Sequence, residues 1–126
     1  MKLVVGGAYQ GKKAFAQTEL GFMEQELADG RTCAYGSWTE KKGMHHLQDY
    51  IRRMLAEEMD ASVCLLEEVK QNPEAVLLCN ELGCGLVPMD AFERRYRETV
   101  GRIQCELAKQ AEEVYRVYCG IGEKIK

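Results

Sequence analysis

Residues 2–13 read Lys2-Leu3-Val4-Val5-Gly6-Gly7-Ala8-Tyr9-Gln10-Gly11-Lys12-Lys13. The run that ends at Val5 is aliphatic and partly β-branched, which is typical of a short strand, and two glycines follow it. From Lys12 onward, Phe15 and Phe22 recur on one face of a helical pattern. The stretch therefore predicts a strand, a glycine loop and a helix in direct succession.

The glycine loop has the spacing of a phosphate-binding P-loop, because its residues fit the frame G-x4-G-K between a predicted strand and a predicted helix. Glycines let the backbone approach phosphate oxygens, amide groups and the helix N-terminus supply positive potential, and the lysine reaches the terminal phosphates. The predicted ligand is a nucleoside triphosphate, GTP or ATP. The predicted binding residues are Gly6, Gly7, Ala8, Tyr9, Gln10, Gly11, Lys12 and Lys13. The alternative is a glycine-rich turn that carries two surface lysines.

Lys12 and Glu81 are the predicted catalytic residues. The position after Lys12 holds Lys13, where the P-loop frame has a serine or threonine whose hydroxyl helps to hold Mg²⁺. A protonated amine cannot ligate a cation, so either Mg²⁺ is held elsewhere, or Lys13 points away, or phosphoryl transfer is impaired. Glu81 follows an apolar run and is the candidate for holding metal-bound water or accepting a proton. Its alternative role is that of a solvated loop residue.

Composition restricts the class of protein. The chain has 126 residues, enough for one domain, and a net charge of −3. Because it has no surplus of basic residues, we expect no nucleic-acid partner. The longest wholly apolar run, residues 75–79, is too short to span a bilayer, and the N-terminal run is too short for a secretory signal. We therefore expect a cytoplasmic protein without a membrane segment.

The 6 cysteines are expected to be reduced. Cys79 ends an apolar run, where a thiol behaves as a small hydrophobic group. The sequence has no C-x-x-C pair, and Cys79 and Cys84 together with His45 and His46 lack the spacing of a zinc site. We therefore predict no metal centre.

The middle of the chain predicts two further helices. From Gly43 onward, apolar residues repeat every three or four positions, which is typical of an amphipathic helix. A second helix is expected to begin near Asp60 or Ser62, where either residue can cap it. It should end at Asn72 and Pro73, because proline disfavours helical geometry in the residue before it.

The remaining elements complete an α/β pattern. Residues 75–79 predict a strand buried on both faces, Asp90 can cap a long helix, and residues 114–119 predict another strand. Residues 32–35 are a weaker candidate for a strand. The alternation predicts one P-loop nucleotide-binding domain over residues 1–126. Its expected fold is like that of P-loop NTPases, a small, mostly parallel sheet flanked by helices, with a ligand crevice at the carboxyl ends of the strands.

Two blocks carry a resemblance to a known family. The first, residues 4–12, reads V-V-G-G-A-Y-Q-G-K. The second, residues 80–126, contains N-E-L-G-C-G-L-V-P at residues 80–88, Gly101-Arg102, and G-I-G-E-K-I-K at residues 120–126. They resemble the G-G-A-x-x-G-K loop, the N-E-V-G-x-G-I-V-P segment and the G-I-G-x-K-I-K tail of the adenosylcobinamide kinase and adenosylcobinamide-phosphate guanylyltransferase family of cobalamin biosynthesis. Residues 17–73 match that family poorly and are shorter than its corresponding stretch, as in a shortened member.

The resemblance implies a P-loop enzyme that phosphorylates the aminopropanol arm of a corrinoid and then attaches GMP through a guanylylated histidine. It also implies a corrinoid substrate such as adenosylcobinamide, and self-association into a homo-oligomer. The available histidines are His45 and His46, which lack the family's surrounding motif and can instead be a solvated or capping pair. The alternative function is that of a shortened relative that has lost catalysis and uses nucleotide, or only its surface, for assembly or regulation.

Overall fold

Strands and helices alternate along residues 1–82 and 90–126, the part of the chain that the computed structural model describes. The strands are β1 (Lys2–Gly6), β2 (Leu27–Asp29), β3 (Gly43–His45), β4 (Val76–Asn80), β5 (Glu113–Tyr118) and β6 (Ile121–Lys124). The helices are α1 (Lys12–Glu19), α2 (Leu47–Ala56), α3 (Ala61–Gln71) and α4 (Ala91–Gln110). The strand, glycine loop and helix predicted for residues 2–13 are confirmed.

The strands form one sheet in the order β2-β3-β4-β1-β5-β6. All neighbouring strands are parallel except β6, which pairs antiparallel with β5. The central strand β1 lies between β4 and β5, with Leu3 opposite Leu77 and Val114. This arrangement confirms the predicted α/β class with a mostly parallel sheet flanked by helices. It also brings the carboxyl ends of β1, β3 and β4 to one edge.

The two faces of the sheet are covered by different helices. In β1, Leu3 and Val5 belong to the larger buried cluster, to which α2, α3 and α4 contribute. Val4, between them, belongs to a second cluster with Phe15 and Ala16 of α1. Successive side chains of a strand point to opposite faces, so an uninterrupted apolar run fills both cores at once. The buried strand predicted at residues 75–79 follows the same pattern and is confirmed as β4.

Two helices begin at the aspartates that the sequence identified as caps. The Asp60 carboxylate accepts a hydrogen bond from the Val63 amide at 3.1 Å. The Asp90 carboxylate accepts bonds from the Phe92 and Glu93 amides at 2.8 and 3.1 Å. Each bond satisfies an amide at a helix N-terminus that has no partner within the helix. The predicted starts of α3 and α4 are therefore confirmed.

The strand predicted at residues 32–35 is wrong. These residues form turns, in which the Thr32 and Cys33 amides donate to the Asp29 carbonyl at 3.1 and 2.9 Å. The strand of this region is β2, which ends at Asp29, three residues before the predicted strand begins. Its short run Leu27–Asp29 is extended because it pairs in register with β3, a long-range contact that local composition does not indicate.

The amphipathic helix begins later than predicted. Gly43 and Met44 belong to β3 and lie opposite Val76 and Leu77 of β4, and α2 starts only at Leu47. Met44 is fully buried. Because a buried apolar residue fits a strand as well as the apolar face of a helix, periodicity alone could not separate the two here. The close approach of the Gly43 backbone to β4 decides in favour of the strand.

Two smaller differences concern the ends of elements. The strand predicted at residues 114–119 is confirmed as β5, but the chain then reverses at Cys119 and Gly120, which both have positive φ, and adds β6. Helix α1 ends at Glu19, so Phe22 lies beyond it. Residues 83–88 of the family-like segment at residues 80–88, with Cys84, lie outside the described residues. Among the helices of the described part, none has both the length and the apolar character needed to cross a membrane.

We predict that Gly101→Ala stabilises the protein. Gly101 lies within α4, and a methyl group added there would have no other atom within 4 Å. Alanine restricts the unfolded chain and favours the helix, so the free energy of unfolding should rise by about 0.5–1 kcal/mol. Urea unfolding followed by circular dichroism measures it, and a lower midpoint than that of the wild type would contradict the prediction.

Candidate functional site

A cavity of about 860 Å³ opens at the edge of the sheet where β3 and β4 end. It is lined by the loop after β1, the start of α1, the start of α2 and the end of β4. The lining residues are Ala8, Tyr9, Gln10, Gly11, Lys12, Lys13, Ala14, Arg31, His45, His46, Gln48, Asp49, Asn80, Leu82 and Tyr96. Residues 8–13 of the predicted nucleotide site therefore line this cavity, at the crevice position that the fold class predicts.

The glycine loop is anchored to the turn between β5 and β6. The Gln10 carbonyl accepts from the Gly120 amide at 2.8 Å, and the Gln10 side-chain oxygen accepts from the Cys119 amide at 2.7 Å. Gly11 has a φ of 90°, and a Cβ there would lie 3.1 Å from the Gly120 Cα, so this position favours glycine on two counts. Tyr9, with a φ of 59°, is left fully exposed.

Lys12 bridges the two ends of the loop. Its ammonium donates to the Gly7 carbonyl at 2.8 Å. Burial lowers the pKa of Lys12, while the nearby Cys79 and Glu81 act in the opposite direction and raise it. A partly buried ammonium beside a loop of backbone amides is suited to an anion, because a second negative partner would compensate its lost hydration.

Lys13 has an ionic partner of its own. Its ammonium lies 2.9 Å from the Glu24 carboxylate, and both side chains are exposed. Lys13 nevertheless lines the cavity, so its ammonium is both paired with Glu24 and beside the glycine loop. Residue 13 provides no oxygen ligand, so the serine or threonine position of the P-loop frame does not fit Mg²⁺ in this chain.

Glu81 is held by an arginine of β5. The Arg116 guanidinium donates from Nε to one Glu81 oxygen at 3.1 Å and from Nη2 to the other at 3.3 Å. The Glu81 amide also donates to the Gly6 carbonyl at 2.9 Å, which fixes the backbone beside the glycine loop. Among the described residues, Glu81 is not one of those that line the cavity, although its carboxylate is close enough to raise the pKa of Lys12.

Two glutamines hold the carboxyl end of β4. The Gln48 side-chain oxygen accepts from the Asn80 amide at 3.0 Å, and the Gln104 side-chain amide donates to the Asn80 carbonyl at 2.8 Å. Gln48 is 4% exposed, so its polar atoms must have protein partners. These bonds satisfy both backbone groups of Asn80, the last residue of β4, which lines the cavity.

A cluster of one aspartate and two histidines lies at the cavity, and the two histidines line it. Asp29 ends β2 and His45 ends β3, and the two residues are register partners in neighbouring parallel strands. His46 follows with a φ of 56° at the start of α2. The Nδ1 atoms of His45 and His46 lie 2.6 Å apart, and the His45 Nδ1 lies 4.0 Å from an Asp29 oxygen.

In this cluster the Asp29 carboxyl is favoured in its charged form and the two imidazoles in their neutral form. The Arg31 guanidinium donates to both Asp29 oxygens and lowers the pKa of Asp29 to about 2. Burial lowers the pKa of both histidines, so the neutral imidazoles are favoured near pH 7. Sequence reasoning considered the histidines but missed Asp29 and Arg31. The strand pairing that brings Asp29 to His45 was the missing signal.

We predict that Cys79 resists alkylation in the folded protein. The five described cysteines are free in the structure. Burial raises the pKa of Cys79 to about 12, whereas Cys105 and Cys119 are exposed. Because the thiolate is the reactive species, Cys79 should react with iodoacetamide at a rate at least about a hundredfold lower than that of Cys105. Peptide mapping by mass spectrometry measures the rates, and equal labelling of Cys79 and Cys105 would contradict the prediction.

Comparison with known proteins agrees with the resemblance seen in the sequence. The family described as cobinamide kinase / cobinamide phosphate guanyltransferase matches residues 34–125, nearly three quarters of the chain. The bifunctional adenosylcobalamin biosynthesis proteins CobU of Salmonella typhimurium and Escherichia coli are each 45% identical to the chain over 53 residues. Those residues are 42% of this chain and 29% of each relative, so the match spans less than a third of the relatives' length. The family match includes the middle segment from residue 34 that the sequence blocks leave out, and does not include the glycine loop. The chain belongs to the cobinamide kinase / cobinamide phosphate guanyltransferase family.

Proposed function

We propose that this protein binds GTP or ATP through residues 6–13 and transfers the terminal phosphate to the hydroxyl of a corrinoid such as adenosylcobinamide. The observation that carries the proposal is the Lys12 ammonium at the glycine loop, beside a cavity at the carboxyl edge of a parallel sheet. Family membership supports the choice of a phosphoryl-transfer reaction and of a cobinamide acceptor.

The nucleotide's phosphates would lie against the loop and the N-terminus of α1. There the amides of residues 8–13 and the helix dipole favour negative charge. Lys12 would exchange its bond with the Gly7 carbonyl for bonds with phosphate oxygens, which are stronger because both partners are charged. The attacking hydroxyl forms a bond to the γ-phosphorus while the bond to the β-γ bridging oxygen breaks and the nucleoside diphosphate leaves.

Glu81 is our proposed acceptor for the proton of the attacking hydroxyl. Its amide donates to the Gly6 carbonyl, and its carboxylate is held by Arg116. The Glu81 carboxylate also raises the pKa of Lys12, which favours the charged ammonium that would bind phosphate.

The competing proposal is a protein that binds nucleotide without catalysing transfer. The observation that favours it is Lys13, which stands where a magnesium-ligating hydroxyl is expected and pairs with Glu24. Loss of that hydroxyl would weaken metal-assisted phosphoryl transfer more than it weakens binding, because Lys12 and the backbone amides can bind phosphate without the metal.

Transfer of a γ-phosphate label from GTP or ATP to adenosylcobinamide tests the two proposals directly. Transfer by the wild type that is lost in Lys12→Ala would support the kinase. Tight nucleotide binding without transfer would refute the kinase and favour the binding protein.

Titration of both nucleotides with and without Mg²⁺ adds a second readout. If Mg²⁺ strengthens binding, Glu81→Gln should abolish that gain, and persistence of the gain would remove Glu81 from metal handling.

We further propose His46 as the guanylyl acceptor of a second reaction. His45 is 5% exposed, whereas His46 is only half-buried and lines the same cavity as Lys12. A neutral imidazole nitrogen would bond to the α-phosphorus of GTP and release pyrophosphate. Protein that is incubated with GTP labelled at the α-phosphate should retain the label through denaturation in the wild type and in His45→Gln, but not in His46→Gln. Retention by His46→Gln would contradict this assignment.

A further inference from the structure

We propose that Asp29, His45 and His46 form a binding site for one divalent transition-metal ion of the Zn²⁺, Co²⁺ and Ni²⁺ class. None of the three residues belongs to the glycine loop, although His45 and His46 line the same cavity. The metal site does not rest on the proposed kinase reaction, and because it uses His46, a bound metal and a guanylyl group on His46 would exclude one another. Each of the three residues offers one ligand atom, and these atoms all lie within 4.8 Å of one another.

The fold itself assembles the three ligands. Asp29 and His45 are the last residues of two adjacent parallel strands and lie opposite one another in register. The Gly30 amide donates to the His45 carbonyl at 2.9 Å and holds the two strand ends together. Because these backbones are anchored in the sheet, side-chain rotation is the main change that the site needs in order to close around an ion.

The required movement is small. Two nitrogens bound to Zn²⁺ at about 2.1 Å in tetrahedral geometry lie about 3.4 Å apart. The two Nδ1 atoms, at 2.6 Å, would have to separate slightly, and the Asp29 oxygen at 4.0 Å from the His45 Nδ1 would have to approach. Both of these changes are below one ångström. No pair of ligand atoms in the cluster is more than 4.8 Å apart, so no pair has to close by more than about 1.5 Å, which rotation about the side-chain bonds can supply.

The protonation states suit a metal rather than an anion. Two Nδ1 atoms in contact at 2.6 Å share one proton, which moves to the Nε2 atom of the donor ring when both Nδ1 atoms coordinate. Metals bind the neutral imidazole, in which one ring nitrogen keeps a free lone pair. The Asp29 carboxylate, which is paired with Arg31, offers an anionic oxygen ligand beside the two rings.

Arg31 is compatible with coordination by Asp29. The guanidinium binds both carboxylate oxygens, but each oxygen has a second lone pair available for a metal. An outer hydrogen bond to a ligating carboxylate is a common feature of metal sites, where it fixes the orientation of the ligand. The set of two imidazoles and one carboxylate favours borderline metals over Mg²⁺, which prefers oxygen ligands alone.

The chain has 2 histidines, which makes a direct spectroscopic test simple. Untagged, metal-free protein with labelled histidine ring nitrogens is titrated with Zn²⁺, and the ring nitrogens are observed by NMR. We expect the Nδ1 signals of both rings to shift together and to saturate at one ion per chain. A shift of only one ring, or of neither, would overturn the proposal.

Variants test the ligands independently of that spectrum. Co²⁺ added to the wild type should give the visible absorption of a tetrahedral site, with an affinity at least tenfold higher than in His46→Gln or Asp29→Asn. Arg31→Gln, which keeps Asp29, should bind Co²⁺ within a few-fold of the wild type. Cys33→Ser should also keep the signal, which excludes thiolate ligation by a neighbouring residue. Unchanged affinity in both His46→Gln and Asp29→Asn, or loss of the signal in Cys33→Ser, would refute the site.

Discussion

Replacement of Lys12 by alanine should weaken the binding of GTP or ATP by about tenfold to a hundredfold. The Lys12 ammonium closes the glycine loop through the Gly7 carbonyl and is the partly buried cation of the loop. A hydrogen bond between two charged groups contributes more than a neutral one, and alanine leaves the phosphate oxygens without that partner. Calorimetric titration of both nucleotides measures the loss, and circular dichroism confirms that the variant is folded.

Two lysine variants are matched controls for this experiment. Lys13→Ala should weaken binding less than Lys12→Ala, because the Lys13 ammonium is engaged with Glu24. Lys70→Ala should leave the affinity unchanged, since Lys70 is exposed on α3 and pairs with Glu67. Equal affinity of Lys12→Ala and the wild type would show that the loop does not bind triphosphate through this residue.

Replacement of Gly43 by alanine should destabilise the protein by about 4 kcal/mol or more, a loss comparable with the whole stability of many domains. A Cβ at position 43 would lie 1.9 Å from the Val76 carbonyl oxygen. That oxygen belongs to the backbone of β4, so relief requires the two strands to separate rather than a side chain to rotate. Separation would break the parallel pairing of Gly43 with Val76 and of Met44 with Leu77.

Urea unfolding of Gly43→Ala beside the wild type measures this effect. Gly101→Ala is the matched control, because it makes the same change of side chain at a position with open space. We expect the Gly43→Ala midpoint to fall steeply, or the variant to be unfolded in water, while Gly101→Ala moves the midpoint slightly upward. A Gly43→Ala protein as stable as the wild type would contradict the close strand contact.

Local sequence signals were sufficient for much of the fold. The apolar runs at residues 2–5 and 75–79 predicted the two central strands, because a strand buried on both faces needs apolar residues at every position. Asp60 and Asp90 predicted two helix starts, because a cap bonds to amides only two or three residues away. The glycine loop was equally local, since its spacing and its flanking elements lie within residues 2–19.

Tertiary structure alone decided how the remaining site residues meet. The strands β2 and β3 have three residues each and leave too little pattern to predict, yet their parallel pairing brings Asp29 beside His45. The partners of Lys13 and Glu81, Glu24 and Arg116, likewise come from other elements. The sequence by itself determined which segments bury apolar surface and where chain direction changes, because those depend on neighbours along the chain. Which charged groups share the cavity depends on the order of strands in the sheet, which long-range packing sets.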